Sequence, residues 1–288
     1  MKILHTLCFL LGSLAAASQV HAGTLYASTS AGGPGELYVI NQSTGAVVQD
    51  VGPLNDALGV NYPITGLAFH PNSGVLYGST GNAGAVDAML VKINPATALV
   101  SVVGPFNAGP TNSSGVPATM ADLAFDSAGN LYGVASIGGP NLYSINAITG
   151  QATLVGPNGV STSTTGGGIA ISPGGAFYGT PTASRFGTYN SGTGAFTNIA
   201  NPTKPAGGAY GALDFDGSVL YGLNVGSGSP PPTHLVTIDS ATGVVTDIGP
   251  SVSSLDAIAF QVRQVPEPAT FVLVLIGAAA GLFSRRVR

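Results

Sequence analysis

One phrase recurs along this chain and limits its fold more than any other feature of the sequence. Four copies, ITGLAFHPNSGVLYGS, MADLAFDSAGNLYGVA, GGGIAISPGGAFYGTP and YGALDFDGSVLYGLNV, begin at Ile64, Met120, Gly166 and Tyr210. Each predicts a short apolar strand, a glycine-containing turn and a second strand that reaches Tyr-Gly. The stretch LDAIAFQ, which begins at Leu255, repeats the opening strand alone. The chain is therefore built from similar units, and its fold must stack them.

Each copy continues into two further predicted strands, so that the complete unit has a regular length. The continuations are LVKINPATALVSVVGP, LYSINAITGQATLVGP, FGTYNSGTGAFTNIANP and LVTIDSATGVVTDIGP. Equivalent residues of the opening strand are spaced by 56, 46, 44 and 45 positions; they are Leu67, Leu123, Ile169, Leu213 and Ile258. A period near 45 residues with four short strands is that of a β-propeller blade. The sequence thus predicts an all-β, five-bladed β-propeller.

The first unit is incomplete at the point where the last one leaves a strand over. Its sequence, TLYASTSAGGPGELYVINQSTGAVVQDVGP, lacks the opening strand that residues 255–261 repeat at the other end. We expect the C-terminal strand to pair in the first blade and to close the ring, because closure removes edges that would otherwise invite aggregation. A pair of β-sandwiches and a β-solenoid remain the alternative folds.

Phrases such as FDSAGNLYG and LYSINAITG resemble the NHL and YVTN types of propeller repeat. The resemblance extends over about 240 residues and implies a propeller. It says little about function, because one fold serves many activities.

The N-terminus has the parts of a secretory signal peptide. Lys2 supplies a positive charge, residues 7–17 are apolar, and Val20-His21-Ala22 fits the small-residue cleavage rule. We expect residues 1–22 to be removed between Ala22 and Gly23, which leaves a propeller domain over residues 23–263. Cys8, the one cysteine of the chain, would leave with the signal, so disulfides and thiol chemistry are excluded from the mature domain.

The C-terminus combines a short motif, an apolar run and a basic cluster. Pro266-Glu267-Pro268 precedes an uncharged run over residues 269–283, and Arg285, Arg286 and Arg288 follow it. The run predicts a transmembrane helix of about 22 Å, short for a bilayer, with the arginines on the cytoplasmic side.

This order of features resembles the PEP-CTERM sorting tail of Gram-negative bacteria and covers residues 264–288. The resemblance implies that Pro266, Glu267 and Pro268 are recognised by an exosortase, a membrane-embedded protease. It also implies that the three arginines act as a basic stop, and that the chain is anchored transiently in the inner membrane before release.

The charge of the predicted mature chain disfavours one class of partner. Only Lys92, Arg185, Lys204 and Arg263 remain against twelve acidic residues, Glu267 included, for a formal net charge of −8. Nucleic acid is therefore not an expected partner, since no basic stripe is available to neutralise phosphates.

Candidate site residues cluster near the predicted entrance of the inner strands. Asp122 and Asp256 lie there in two units, and Tyr62 and Tyr210 occupy comparable positions in two others. Because propeller ligands approach the central channel, these four residues predict a weakly acidic, aromatic-edged site for a sugar or a cation.

Other polar residues predict no metal site and no cofactor. His70 and His234 stand singly, without the spacing of a zinc site. The phrase Asp214-Phe215-Asp216-Gly217 looks loosely like a calcium loop, but no further acids follow at the required spacing. Asp126 and Asp216 share one turn position, where we expect them to accept bonds from their own turns.

These features together predict an exported propeller, sorted to the cell envelope or the extracellular matrix, that acts as a non-catalytic structural or binding module. Its expected partners are the secretion machinery, an exosortase and an envelope component such as exopolysaccharide. The alternative is a propeller enzyme, a lyase or lactone hydrolase with a metal in the channel. Such an enzyme would need several carboxylate or imidazole groups converging within about 5 Å.

Overall fold

The computed structural model describes residues 23–30, 33–81, 86–107, 118–135, 139–160 and 167–261. Within these ranges the regular structure consists of β-strands, and no helix is long and apolar enough to cross a membrane. The predicted signal peptide over residues 1–22 and the sorting tail over residues 264–288, with its transmembrane helix, lie outside the described residues.

Twenty strands occur in the described ranges and form five four-stranded antiparallel sheets. They are β1 (Thr24–Thr29), β2 (Glu36–Ile40), β3 (Val47–Pro53), β4 (Ile64–Phe69), β5 (Leu76–Thr80), β6 (Met89–Ile93), β7 (Val100–Pro105), β8 (Met120–Phe125), β9 (Leu131–Ala135), β10 (Leu142–Ile145), β11 (Ala152–Gly156), β12 (Gly168–Ile171), β13 (Phe177–Thr182), β14 (Arg185–Tyr189), β15 (Phe196–Ala200), β16 (Ala209–Asp216), β17 (Val219–Val225), β18 (Thr233–Ile238), β19 (Val245–Pro250) and β20 (Leu255–Gln261).

The five sheets are the blades of a propeller, numbered here in chain order. Blade 1 has the strand order β20-β1-β2-β3, and blades 2 to 5 are β4–β7, β8–β11, β12–β15 and β16–β19. The innermost strands contact one another in the cyclic order β20, β4, β8, β12, β16 and back to β20. The protein is therefore an all-β, five-bladed β-propeller. In blade 1, β20 lies antiparallel to β1, with Phe260 opposite Leu25 and Ile258 opposite Ala27.

The core forms between neighbouring blades, where the apolar side chains of each sheet face the next sheet. The inner-strand residues that mark the repeat are all 0–1% exposed; they are Leu67, Leu123, Ile169, Leu213 and Ile258. The glycine of Tyr-Gly leaves room for a side chain of the third strand. A Cβ on Gly179 would lie 2.4 Å from Cε2 of Tyr189, and one on Gly78 would lie 2.9 Å from Cδ1 of Ile93.

Aromatic pairs join the blades around the ring. In four of the five junctions, the tyrosine of one blade's second strand packs against the phenylalanine that ends or nearly ends the next inner strand. These pairs, with ring centroids 4.8–5.7 Å apart, are Tyr26–Phe69, Tyr77–Phe125, Tyr178–Phe215 and Tyr221–Phe260. Between blades 3 and 4 the inner strand carries Ile171 instead, and Tyr132 pairs with Phe177 of β13. Such pairs contribute about 0.5–1.5 kcal/mol each beyond the burial of their area.

The outer rim depends on close backbone contacts between blades. A Cβ on Gly104, of the Gly-Pro that ends β7, would lie 2.2 Å from the carbonyl oxygen of Thr149. A Cβ on Gly156 would lie 2.1 Å from the carbonyl oxygen of Thr193. At each of these two junctions, a glycine at the end of one blade's outer strand therefore meets the Thr-Gly turn of the next blade, and only glycine fits there.

Candidate functional site

The inner strands of the blades carry the polar chemistry of the central axis. Each of β4, β8, β12, β16 and β20 stands at one end of its sheet order, so one edge of its backbone faces the axis. Amides on such an edge need side chains or water as acceptors, because an unpaired buried N–H is costly. Aspartate carboxylates supply part of this requirement here.

Asp122 links three blades near the entrance of the inner strands. Its Oδ2 accepts hydrogen bonds from the amides of Ile169 in blade 4, at 2.9 Å, and Leu213 in blade 5, at 3.0 Å. Its Oδ1 accepts a 2.9 Å bond from the amide of Leu123 in its own strand. The side chain is fully buried, so the geometry indicates a structural link across the axis.

Asp214 makes a similar link one junction further on. Its Oδ2 accepts a 2.6 Å bond from the amide of Phe260 in blade 1, and Oδ1 accepts a 2.8 Å bond from Phe215 in its own strand. The other four repeats carry alanine at this position; they are Ala68, Ala124, Ala170 and Ala259. This departure from the repeat is visible in the sequence. Asp214 is a candidate site residue because it also lines a cavity on the axis.

Burial disfavours the charged form of the axial carboxyls. It raises the pKa of Asp122 well above its usual value, although three amide donors oppose the shift. Burial also raises the pKa of Asp214 to about 7, against the opposing bonds from Phe260 and Phe215. The pKa of Asp256 is raised by burial to about 7 as well, with a hydrogen bond from Ser30 opposing the change.

The four predicted site residues have different partners in the structure. The hydroxyl of Tyr62 donates to Oδ2 of Asp56 at 3.0 Å, and that of Tyr210 donates to the carbonyl oxygen of Thr203 at 2.6 Å. Asp122 is held by backbone amides, as described. Asp256 lies beside Ser30 and close to Gly211, where a Cβ would lie 2.8 Å from its Oδ1. That these residues form a ligand site stays a prediction.

A cavity lies at the opposite end of the inner strands. It has a volume of about 590 Å³ and is lined by residues from all five blades. Four phenylalanines and one isoleucine surround it at equivalent strand positions: Phe69, Phe125, Ile171, Phe215 and Phe260. Asp214 lies among them as the inner-strand carboxylate, with Ala68 and Ala124 beside it. None of the four predicted site residues lines this cavity. We call it the mouth cavity.

The polar rim of the mouth cavity is already occupied by turn contacts. Nδ1 of His70 accepts bonds from the amides of Asn72 and Ser73, and its ring packs 4.9 Å from Phe125. Oδ1 of Asp126 accepts from the amides of Ala128 and Asn130, as expected of a turn residue. No lysine or arginine occurs among the described residues that line the cavity.

Two further polar contacts lie away from the cavity floor. Asp216, expected to bond within its own turn, has both carboxylate oxygens 3.3–3.4 Å from the amide nitrogen of Gly23. On the outside of blade 5, Nδ1 of His234 lies 3.0 Å from Oδ1 of Asp247. Within the described ranges there is no group of three or more His, Cys, Asp or Glu side chains that could hold a metal ion.

The fold is that of a five-bladed propeller with a cavity at one end of its axis. Residues 26–217 match a family described as a repeat of unknown function, DUF6923, and the chain belongs to that family. Residues 264–288 match the PEP-CTERM protein-sorting motif, which confirms that interpretation of the tail. No curated protein matches the chain.

Several solved structures are similar to this chain at low identity. TolB from Acinetobacter baumannii is 18% identical with a TM-score of 0.48, over 81% of this chain and 54% of TolB. A protein of unknown function from Bacteroides caccae is 14% identical with a TM-score of 0.46, over 84% of this chain and 100% of its own. Virginiamycin B lyase from Staphylococcus aureus is 13% identical with a TM-score of 0.41, over 79% of this chain and 74% of the lyase. These matches carry no argument about function.

Proposed function

We propose that this protein is an exported, non-catalytic binding propeller that takes a ligand at the mouth cavity. The observation that carries the proposal is the convergence of all five blades on one concave site of about 590 Å³. Ligand sites in proteins are typically concave, mostly apolar and furnished with a few polar groups. The mouth cavity fits this description, with aromatic walls and Asp214 among them.

The sorting motif supports the cellular part of the proposal. A PEP-CTERM tail implies exosortase-dependent export to the cell envelope. We extend this to removal of residues 1–22, transient anchoring through residues 269–283, and release of the propeller domain to the envelope or matrix. The intact mass of the protein from the native host checks each cut separately.

The chemistry of the mouth cavity favours neutral or cationic ligands. Aromatic faces pack against the C–H faces of sugar rings and attract cations, and the Asp214 carboxylate adds a hydrogen-bond acceptor. Without a basic partner among the described lining residues, a carboxylated or sulfated ligand would meet repulsion. We therefore propose a neutral or amino-sugar unit of the exopolysaccharide as the ligand.

Binding of oligosaccharides from the host's exopolysaccharide, measured by calorimetry, tests this proposal. We expect neutral and amino-sugar fragments to bind, and Phe125→Ala in the mouth cavity to weaken binding at least tenfold. Phe196→Ala is the matched control, because Phe196 packs against Tyr189 away from the cavity. Equal loss in both variants, preference for acidic fragments, or turnover of the bound fragment would contradict the proposal.

We also propose that the pairing of β20 with β1 is what holds the ring closed. Four residues of β20 are at most 1% exposed: Leu255, Ala257, Ile258 and Ala259. The last strand of the propeller therefore packs in the core of the blade that also contains the first strand. Ile258→Asp should abolish cooperative unfolding followed by circular dichroism, whereas Gln261→Asp at the end of the strand should leave it intact. Cooperative unfolding of the Ile258 variant would show that closure lies elsewhere.

A further inference from the structure

The backbone nitrogen of Gly23, in blade 1, contacts the carboxylate of Asp216, in blade 5. The nitrogen of Gly23 is 3.3 Å from Oδ2 and 3.4 Å from Oδ1 of Asp216, and Gly23 is buried. Gly23 immediately precedes β1 of blade 1, whereas Asp216 ends β16 of blade 5. The contact therefore joins blade 1, which contains both the first and the last strand of the propeller, to blade 5.

Asp216 differs from the aspartate at the same place in another repeat. Asp126 of blade 3 accepts bonds from Ala128, from the backbone amide of Asn130 and from its side chain, all within its own turn. In blade 5 the hairpin is shorter, with Asp216 paired opposite Val219 around Gly217 at φ 58°. This tight turn leaves the Asp216 carboxylate facing blade 1.

The geometry suits an ammonium better than a peptide amide. A peptide N–H offers one hydrogen, yet both oxygens of Asp216 lie nearly equally far from the nitrogen. An α-ammonium offers three hydrogens and a positive charge, and bonds between two charged groups are roughly twice as strong as neutral ones. Burial of Gly23 also reduces the screening of such a pair by salt.

We infer that Asp216 is the built-in counter-ion for the α-ammonium created when the chain is cut between Ala22 and Gly23. A signal peptidase would break the C–N bond of this peptide with one water, leaving a carboxylate on Ala22. The amine left on Gly23 then takes up a proton at neutral pH. Processing thus converts a weak amide contact into an ion pair that ties blade 1 to blade 5. The inference rests on the proposed export.

A double-mutant cycle on the exported protein tests the inference. The full chain is expressed in a host that processes it, and the mature protein is recovered and checked by intact mass. The cycle combines Asp216→Asn with insertion of one serine between Ala22 and Gly23, which moves the new ammonium one residue away. Asp126→Asn, with and without the insertion, is the control.

We expect Asp216→Asn to lower the folding equilibrium constant about tenfold, or about 1.4 kcal/mol, when the chain begins at Gly23. With the inserted serine the same substitution should change it less than about twofold, because the pair is already lost. Asp126→Asn should have the same effect in both backgrounds. An equal effect of Asp216→Asn in both backgrounds overturns the inference and leaves export standing.

Two further readouts keep the test decisive. A mature chain that begins at a residue other than Gly23 overturns both the cleavage site and the inference. If the Asp216 variant fails to fold, the wild-type protein is labelled with an acylating reagent before and after unfolding in urea. The α-amine should react at least tenfold more slowly in the folded protein, while exposed Lys92 changes little; equal protection factors would reject the ion pair.

Discussion

The outer rim and the central axis of this propeller are built on opposite principles. At the rim the repeats are alike. In each outer hairpin, the glycine or alanine that follows a threonine has a positive φ of 56–81°: Gly45, Ala98, Gly150, Gly194 and Gly243. Along the axis the repeats differ, because Asp122, Asp214 and Asp256 each occur at a different inner-strand position. Repetition at the rim serves packing. At the axis, Asp122 and Asp214 depart from the repeat and link blades, and Asp214 also lines the mouth cavity.

The rim shows why repetition matters for packing. A Cβ on Gly45 would lie 2.8 Å from the carbonyl oxygen of Gly249, and one on Gly243 would lie 2.4 Å from Cβ of Ala200. Each contact joins neighbouring blades with the same turn. Because the blades repeat by rotation, glycine at the same turn position allows close contact at several blade junctions. Glycines that are evenly spaced in the sequence therefore make evenly spaced contacts around the ring.

The largest effect should come from breaking the axial link at Asp122. Asp122→Ala leaves amides of Leu123, Ile169 and Leu213 without their acceptor, and an unpaired buried amide costs about 1–3 kcal/mol. We expect a loss of about 3 kcal/mol in the free energy of unfolding, measured in urea. Asp122→Asn keeps one acceptor oxygen and should cost less.

Asp126→Ala is the control for this change, because the partly exposed Asp126 carboxylate caps a surface turn. A loss no greater than in the control would show that water replaces the carboxylate at the axis. Asp122 would then not act as a structural link that distinguishes the axis from the rim.

A rim substitution should have the second-largest effect. Gly150→Ala places a Cβ 2.3 Å from the carbonyl oxygen of Gly104, at a φ of +81°. We expect a loss of about 2 kcal/mol in unfolding free energy, from the left-handed backbone and from displacement of the neighbouring blade. Chemical denaturation measures it.

Gly175→Ala separates these two causes. Gly175 has nearly the same φ, +83°, with no heavy atom within 4 Å of the new Cβ. Its cost should be that of the backbone alone, about 1 kcal/mol. Equal losses at the two positions would mean that the rim contact adds nothing.

Much of the fold and less of the site follows from the sequence. The regular spacing of equivalent residues from Leu67 to Ile258 predicts five blades, because the same strand position recurs once in every blade. The bonds from Asp122 to Ile169 and Leu213 were not predictable, since they depend on how closely the inner strands approach across the axis. The sequence distinguishes Asp214 from the alanine of the other four repeats, but it does not show that Asp214 lines a cavity formed by all five blades.

The pH dependence of stability distinguishes the axis from the rim, because the buried carboxyls of Asp214 and Asp256 belong to inner strands. Burial raises the pKa of Asp214 and of Asp256 to about 7, so the folded state keeps protons that the unfolded chain releases above about pH 4. Stability should therefore be greatest near pH 4–5 and fall as the pH rises through 7. We expect a loss of at least about 1 kcal/mol between pH 5 and pH 8, since one pKa unit corresponds to about 1.4 kcal/mol.

Denaturation at a series of pH values, at constant ionic strength, measures this loss. Gly150→Ala should shift the whole curve down without changing its slope, because it removes no carboxyl. Stability that rises from pH 5 to pH 8 would mean that the amide donors outweigh burial at these carboxyls.

The smallest effect on stability should come from Asp214→Ala, which restores the residue found in the other four repeats. The change leaves the amides of Phe215 and Phe260 to water in the mouth cavity, but it also removes a carboxyl whose burial is costly at neutral pH. These contributions oppose each other, so we expect unfolding free energy to change by less than about 1 kcal/mol at pH 8. The slope of stability against pH between pH 5 and pH 8 should become shallower.

Binding of amino-sugar fragments to the Asp214→Ala variant should fall at least tenfold, since the carboxylate partner of the ammonium is gone. A variant that loses stability like Asp122→Ala yet binds normally would make Asp214 a second structural link, and would place ligand recognition on the aromatic ring alone.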